Sequence, residues 1–233
     1  MDITGSVALV TGANRGIGRH FAQELLERGA AKVYATSRRP EQVDVPGVEV
    51  LRLDVTDPES VAAAAAAAGD VTLLVNNAGL STGANLVTGD LADIRLEMET
   101  HYFGTLGVVR AFAPVLARNG GGAMVNVLSA LSWFSYDGAN AYSAAKAAEW
   151  SLTNGVRLEL TGQGTLVTGV VLGAADTDMM AGYTGPMNDP ADVVRAVLDG
   201  VGAGAWEVVV DDASRHVKAM LAADPREFYS QPA

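Results

Sequence analysis

The chain has 233 residues, a formal net charge of −11, 49 % apolar and 6 % aromatic residues, and no cysteine. That length suits one large α/β domain with an aliphatic core, and the acidic balance argues against nucleic acid or anionic membranes as partners. The lack of cysteine excludes a disulfide framework, a thiolate metal site and a cysteine nucleophile, and it fits a reducing cytoplasm.

Met1-Asp2-Ile3-Thr4-Gly5 lacks the basic and apolar regions of a secretory signal, and no apolar run reaches membrane-spanning length. Val7–Val10 reads as a buried strand, Gly16–Arg28 as a helix and Lys32–Ser37 as a second strand. Val48–Leu53 is a third strand, followed by an alanine-rich helix over Pro58–Ala68 and a fourth strand over Leu73–Val75. One long helix is expected from Ala92 to Arg118, then a strand over Ala123–Leu128 and a helix over Tyr142–Thr161. A strand at Leu166–Leu172, a helix at Pro190–Val201, a short strand at Glu207–Val210 and a helix near Ser214–Ala222 complete the chain. Strand and helix in alternation predict a parallel sheet covered on both faces, and no Pro/Ser-rich linker divides it.

The first strand runs into Thr11-Gly12-Ala13-Asn14-Arg15-Gly16-Ile17-Gly18 and then a helix. Three glycines at a strand-to-helix turn allow a tight bend and close approach of backbone to a phosphate. The helix start adds free N–H groups and a positive dipole end. The second strand ends at Ser37-Arg38-Arg39, where dinucleotide folds that bind the ribose 2′-hydroxyl carry an acid. With no acid there, Arg38 and Arg15 suit a 2′-phosphate, so NADP(H) is expected in preference to NAD(H). Further on, Tyr142 and Lys146 stand four apart and share one helix face. A phenol beside an ammonium is a proton donor of adjustable strength, because the positive charge favours phenolate.

Four blocks in order, Thr11-Gly12-x-x-x-Gly16-x-Gly18, Asn76-Asn77-Ala78-Gly79, Ser129 and Tyr142-x-x-x-Lys146, resemble the short-chain dehydrogenase/reductase family over nearly the whole chain. The resemblance implies a three-layer Rossmann-type fold with a seven-stranded parallel sheet, formed as one domain over 1–233, and nicotinamide-dependent carbonyl/alcohol chemistry. It also implies a homodimer or homotetramer built on the long helices. Tyr142 then matches the catalytic acid/base, Lys146 its partner and a ligand of the nicotinamide ribose, and Ser129 the donor to the substrate oxygen. Gly12, Asn14, Arg15, Gly16, Ile17, Gly18, Ser37 and Arg38 would hold the phosphates. Asp54, Val55, Asn77, Ala78 and Gly79 would line the adenosine side, and Gly173 and Thr177 would lie at the nicotinamide end. Asp54 also reads as a turn or helix-cap residue.

Two positions depart from the family pattern. His101, in His101-Tyr102-Phe103-Gly104, stands where an asparagine often supports a water relay to the lysine. A histidine can donate or accept, so it is either a relay member or a satisfied buried residue. In Val171-Leu172-Gly173 a leucine replaces the usual proline, which removes a φ restraint and predicts a looser or shifted loop over the cofactor.

The substrate region is expected in the loops at the strand carboxyl ends. Leu80, Trp133, Phe134, Tyr136, Met179 and Tyr183, with Met180 and Met187, offer an apolar lining, while several of the aromatics could equally pack the core. A short substrate loop at about 174–190 predicts an open site, and about 211–233 forms a C-terminal extension. No lysine or arginine stands in the pocket segments, so a neutral, lipophilic ketone, aldehyde or enone-type substrate is expected. The three histidines, His20, His101 and His216, are too scattered for a metal. Competing readings are an NADP(H)-binding regulator without turnover, and an isomerase, dehydratase or epimerase on the same fold.

Overall fold

The computed structural model describes residues 1–229, so the last positions of the C-terminal extension lie outside the described residues. The strands are β1 (Val7–Val10), β2 (Lys32–Ser37), β3 (Glu49–Arg52), β4 (Leu73–Asn76), β5 (Ala123–Val127), β6 (Leu166–Val171) and β7 (Glu207–Val209). They form one seven-stranded parallel sheet in the order β3-β2-β1-β4-β5-β6-β7. The order reverses between β1 and β4, which opens a crevice at the carboxyl ends of those strands.

Both faces of the sheet are covered, which is why its strands read as unbroken apolar runs. Side chains alternate between two cores. Ala8, Val10, Leu73 and Val75 face one side, with Phe21 and Leu25 of helix α1 (Gly16–Glu27) and Val193, Val197 and Leu198 of the helix at Pro190–Gly202. Leu9 and Leu74 face the other, with Val61 of α2 (Pro58–Ala67) and residues of the helices before and after β5. This is the period of two that a strand imposes.

The expected unbroken helix over Ala92–Arg118 is instead three segments. It consists of α3 (Leu91–Met98), a π-helical turn at Glu99–Gly104, and α4 (Thr105–Arg118). The wider turn buries Thr100, His101 and Gly104 while leaving Phe103 half exposed. Such turns occur mostly where a side chain must be re-aimed at a functional site. The remaining helices are α5 (Asn140–Leu160), α6 (Pro190–Gly202), α7 (Asp212–Met220) and a short α8 (Pro225–Tyr229) that the sequence reading did not foresee.

A polar ladder fixes α5 against the sheet. Asn76 Nδ2 donates to Asn126 Oδ1 (2.8 Å), Asn126 Nδ2 to Thr153 Oγ1 (2.9 Å), and Thr153 Oγ1 to the Glu149 carbonyl (2.8 Å). The helix carrying Tyr142 and Lys146 is thereby held in register with β4 and β5.

Candidate active site

The glycine turn after β1 is built for close backbone approach. Gly12 and Gly16 have φ values of +67° and +51°, where glycine is strongly favoured. A Cβ at Gly18 would lie 2.3 Å from the Gly12 carbonyl oxygen and 2.4 Å from Asn77 Nδ2. Asn77 braces the turn: its Nδ2 donates to the carbonyl of Thr11 (2.9 Å), and the N–H groups of Asn77 and Ala78 donate to Thr11 Oγ1. Helix α1 has no side-chain N-cap, so its first N–H groups keep their donors for a ligand.

Beside this turn lies a cavity of about 390 Å³ bordered by Asn14, Arg15, Gly16, Gln42, Thr177 and Asp178. Thr177 crosses above the glycines, and a Cβ on Gly16 would meet its Cγ2 at 3.2 Å. Arg15 spans the cavity to Asp178 (3.6 Å), a loose and exposed pair. Ser37 is buried at the end of β2 and Arg38 is exposed, with no ion-pair partner among the described residues. Cradle, helix start, the loosely paired Arg15 and the exposed Arg38 together fit a dinucleotide phosphate. Asp54 is engaged in its own turn, with Oδ1 accepting from Thr56 N (3.0 Å) and Thr56 Oγ1 (2.8 Å). Val55 packs against Gly104 of the π-helical turn.

Ser129 caps a short helical turn at Ala130–Ser132, and its Oγ accepts from the N–H of Leu131 (3.1 Å). The hydroxyl proton is therefore left to donate elsewhere. Lys146 is 4 % exposed; its Nζ donates to the Val127 carbonyl and to Glu149 Oε2, both at 2.7 Å, and lies 5.8 Å from the centre of the Tyr142 ring. Burial alone would lower the lysine, but Glu149, Tyr142 and Glu97 together outweigh it and the ammonium is held above its ordinary value. The phenol also stands above its ordinary value. Burial pushes Tyr142 up, Lys146 pulls it down, and Glu149 and Glu97 push it up again, while the Ser129 hydroxyl pulls down. The simple expectation of a tyrosine lowered by its lysine is thus corrected for the ligand-free chain, because desolvation and two carboxylates outweigh one ammonium.

His101 is 1 % exposed, and its ring stands edge-on to Tyr142 with centroids 5.1 Å apart. Its Nε2 lies 2.8 Å from the Leu80 carbonyl oxygen and 3.3 Å from Glu97 Oε2; its Nδ1 lies 3.8 Å from Glu149 Oε2. Gly79 makes room for it, since a Cβ there would meet His101 Cε1 at 2.7 Å. Glu97 is fully buried and its Oε1 accepts from Thr82 N (2.7 Å) and Thr82 Oγ1 (3.1 Å). Sequence reading missed Glu97 and Glu149. The available signal was their spacing, four before His101 and three after Lys146, which puts each carboxylate on the same helix face as its partner.

The loop after β6, expected to be looser or shifted without the proline, is held by hydrogen bonds from elsewhere in the chain. Gly173 N–H donates to Asp211 Oδ2 (2.7 Å), Asn188 Nδ2 donates to the same oxygen (3.0 Å), and Asn188 N–H donates to the Ala174 carbonyl (2.8 Å). Burial would raise Asp211, but the N–H donors of Gly173 and Ser214 hold it below its ordinary value. A depressed carboxylate stabilises the fold fully above its unfolded pKa, and that stability is lost as pH falls through the folded one. Asp211→Asn is therefore expected to lower the melting temperature at neutral pH. The gap to the parent should narrow below roughly pH 4, as read from thermal melts across pH.

Among the substrate candidates, which could line the pocket or pack the core, Trp133 is packed inward. It is 8 % exposed, clustered with Leu128, Ala130 and Val171, and Lys218 Nζ sits 5.5 Å from its ring. Tyr136, Met179 and Tyr183 are exposed, and Leu80 and Phe134 are half-buried. Helix α8 adds residues the sequence did not single out: Phe228 lies 6.2 Å from Phe134 ring to ring, and the Ser135 N–H donates to the Tyr229 hydroxyl (3.2 Å).

Comparison with known proteins bears on this arrangement. Residues 6–187 match the family model described as short chain dehydrogenase. The fold superposes with a TM-score of 0.94 and 41 % identity, over the full length of both chains, on a short chain dehydrogenase from Burkholderia cenocepacia J2315 solved in complex with NADP. An NADPH-dependent 1-acyldihydroxyacetone phosphate reductase of Schizosaccharomyces pombe is 32 % identical over 78 % of this chain, which spans 64 % of that relative's length. A serine 3-dehydrogenase of Rhizobium radiobacter is 31 % identical over 79 % of this chain and 78 % of its own. The protein belongs to the short chain dehydrogenase family, a family of NAD(P)-dependent oxidoreductases. No helix among the described residues is long and apolar enough to cross a membrane.

Proposed function

We propose that the protein is an NADPH-dependent reductase of neutral, lipophilic ketones or aldehydes, running in reverse as an alcohol dehydrogenase. One observation carries the reading: Ser129, Tyr142 and Lys146 converge at the carboxyl ends of the strands, on the side where the glycine turn forms its cradle. When bound, the nicotinamide supplies or accepts the hydride. The chain's own residues handle the oxygen. Ser129 and Tyr142 donate hydrogen bonds to the substrate oxygen as negative charge develops on it. Tyr142 then transfers its proton, and Lys146 stabilises the phenolate that results.

Gly12, Asn14, Gly16, Ile17 and Gly18 would hold the diphosphate, Arg38 and Arg15 with Ser37 the 2′-phosphate, and Lys146 the nicotinamide ribose. Preference for NADP(H) rests on the unpaired Arg38 and the missing acid at the end of β2. Arg38→Ala is expected to raise the KM for NADPH about tenfold, about 1.4 kcal/mol, and to leave the KM for NADH unchanged. Steady-state assays with both cofactors check this. Equal changes for the two would remove the 2′-phosphate role.

The substrate class rests on the apolar rim of Leu80, Phe134, Tyr136, Met179 and Tyr183. The substrate named for the Schizosaccharomyces pombe relative shares the ketone and the acyl chain but carries a phosphate, for which the pocket segments here offer no lysine or arginine. We also read residues 1–233 as one domain, acting as a homodimer or homotetramer in a reducing, cytoplasmic compartment. Exposed Phe103 and Leu158, on the helical segments around α4 and α5, support the assembly.

A further inference from the structure

The Lys146 ammonium has three N–H donors. Two are taken at 2.7 Å, one by a neutral carbonyl and one by the Glu149 carboxylate. Glu149 is itself 1 % exposed, and its other oxygen accepts from Thr105 Oγ1 (3.1 Å). This locks the carboxylate with one oxygen on the lysine. A full negative charge in hydrogen-bond contact with the ammonium, shielded from water, offsets the positive charge that Tyr142 would otherwise feel. The reaction itself requires only Ser129, Tyr142 and Lys146, so Glu149 is a buried ionisable group without a part in it.

We propose that Glu149 is a positioning residue that sets the acid strength of Tyr142. It fixes the Lys146 ammonium with one N–H free, and it holds the phenol in its protonated form, the form that donates to the substrate oxygen in reduction. The groups facing Tyr142 are Lys146 and Glu149 from α5, His101 from the π-helical turn and Glu97 from α3. Glu97 acts in the same direction as Glu149 without touching the lysine. His101 lies between the two carboxylates, 3.3 Å from Glu97 Oε2 and 3.8 Å from Glu149 Oε2. This inference rests on the reading of Tyr142 as the acid.

The test has two readouts on the full chain. One is the near-ultraviolet phenolate titration of each protein minus that of its Tyr142→Phe counterpart, without cofactor, which isolates Tyr142. The other is the pH profile of kcat/KM for reduction with NADPH. Glu149→Gln is expected to move the phenolate transition and the alkaline limb of reduction to lower pH by about one pH unit. Glu149→Asp, which keeps the charge, should restore the parental positions. A folded Glu149→Gln protein whose transition does not move overturns the proposal, as does a Glu149→Asp protein that moves as far. Should Glu149→Gln fail to fold, Glu97→Gln carries the test: a smaller downward shift supports the charge account, and no shift overturns it. A parent that lacks reductase turnover refutes the functional reading alone, because the phenolate titration still decides the role of Glu149.

Discussion

Tyr142→Phe is expected to cut kcat for carbonyl reduction by about 10²–10⁴-fold while leaving NADPH affinity near the parental value. The substitution removes one oxygen and keeps the ring, so the edge-on contact with His101 at 5.1 Å and the packing of α5 persist. What disappears is the proton donor to the substrate oxygen. Ser129 can still stabilise developing charge on that oxygen, which accounts for residual turnover. Steady-state kinetics with fluorescence titration of NADPH separates the two quantities. An unchanged kcat would remove Tyr142 from the chemistry.

Lys146→Met should abolish turnover and also destabilise the fold by about 3–5 kcal/mol. The second effect arises because Lys146 is not a free catalytic cation here. It is the counter-charge of Glu149, in a pocket that also holds Glu97, and both carboxylates are essentially fully buried. Removing the lysine leaves two buried carboxylates packed around the His101 ring without their ammonium. The double substitution Lys146→Met with Glu149→Leu should recover most of the lost stability and none of the turnover. Urea unfolding of the parent, the two single variants and the double variant measures the coupling directly. A loss below about 1 kcal/mol in Lys146→Met, the range of exposed ion pairs, would contradict the buried-pair account.

The strands were legible because a parallel sheet covered on both faces leaves unbroken apolar runs, and β1, β2 and β5 fall within a residue of their expected bounds. The glycine turn was legible because its geometry admits almost nothing but glycine at Gly12, Gly16 and Gly18. The π-helical turn was not, since one extra residue in a turn leaves the apolar periodicity within each flanking helix intact. Nor were the partners of His101 and Lys146. Glu97 and Glu149 look like ordinary surface charges until the packing of α3 against α5 shows both inside. Trp133 was ambiguous in sequence because an aromatic after β5 can face either the pocket or the layer beneath α7, and only the packing decides. The loop after β6 misled for a related reason: its restraint comes from Asp211, nearly forty positions downstream of Gly173, rather than from a local proline.

The most direct test of the central claim is the fate of deuterium from NADPH labelled at the transferring position of the nicotinamide, incubated with a panel of lipophilic ketones and aldehydes. Deuterium is predicted on the carbinol carbon of the product, one per NADPH consumed, and its transfer is slowed about 10²–10⁴-fold with Tyr142→Phe. Tight NADPH binding with no transfer to any carbonyl would contradict the account and favour a regulator. Product formed without net NADPH consumption would contradict it in favour of an isomerase, dehydratase or epimerase.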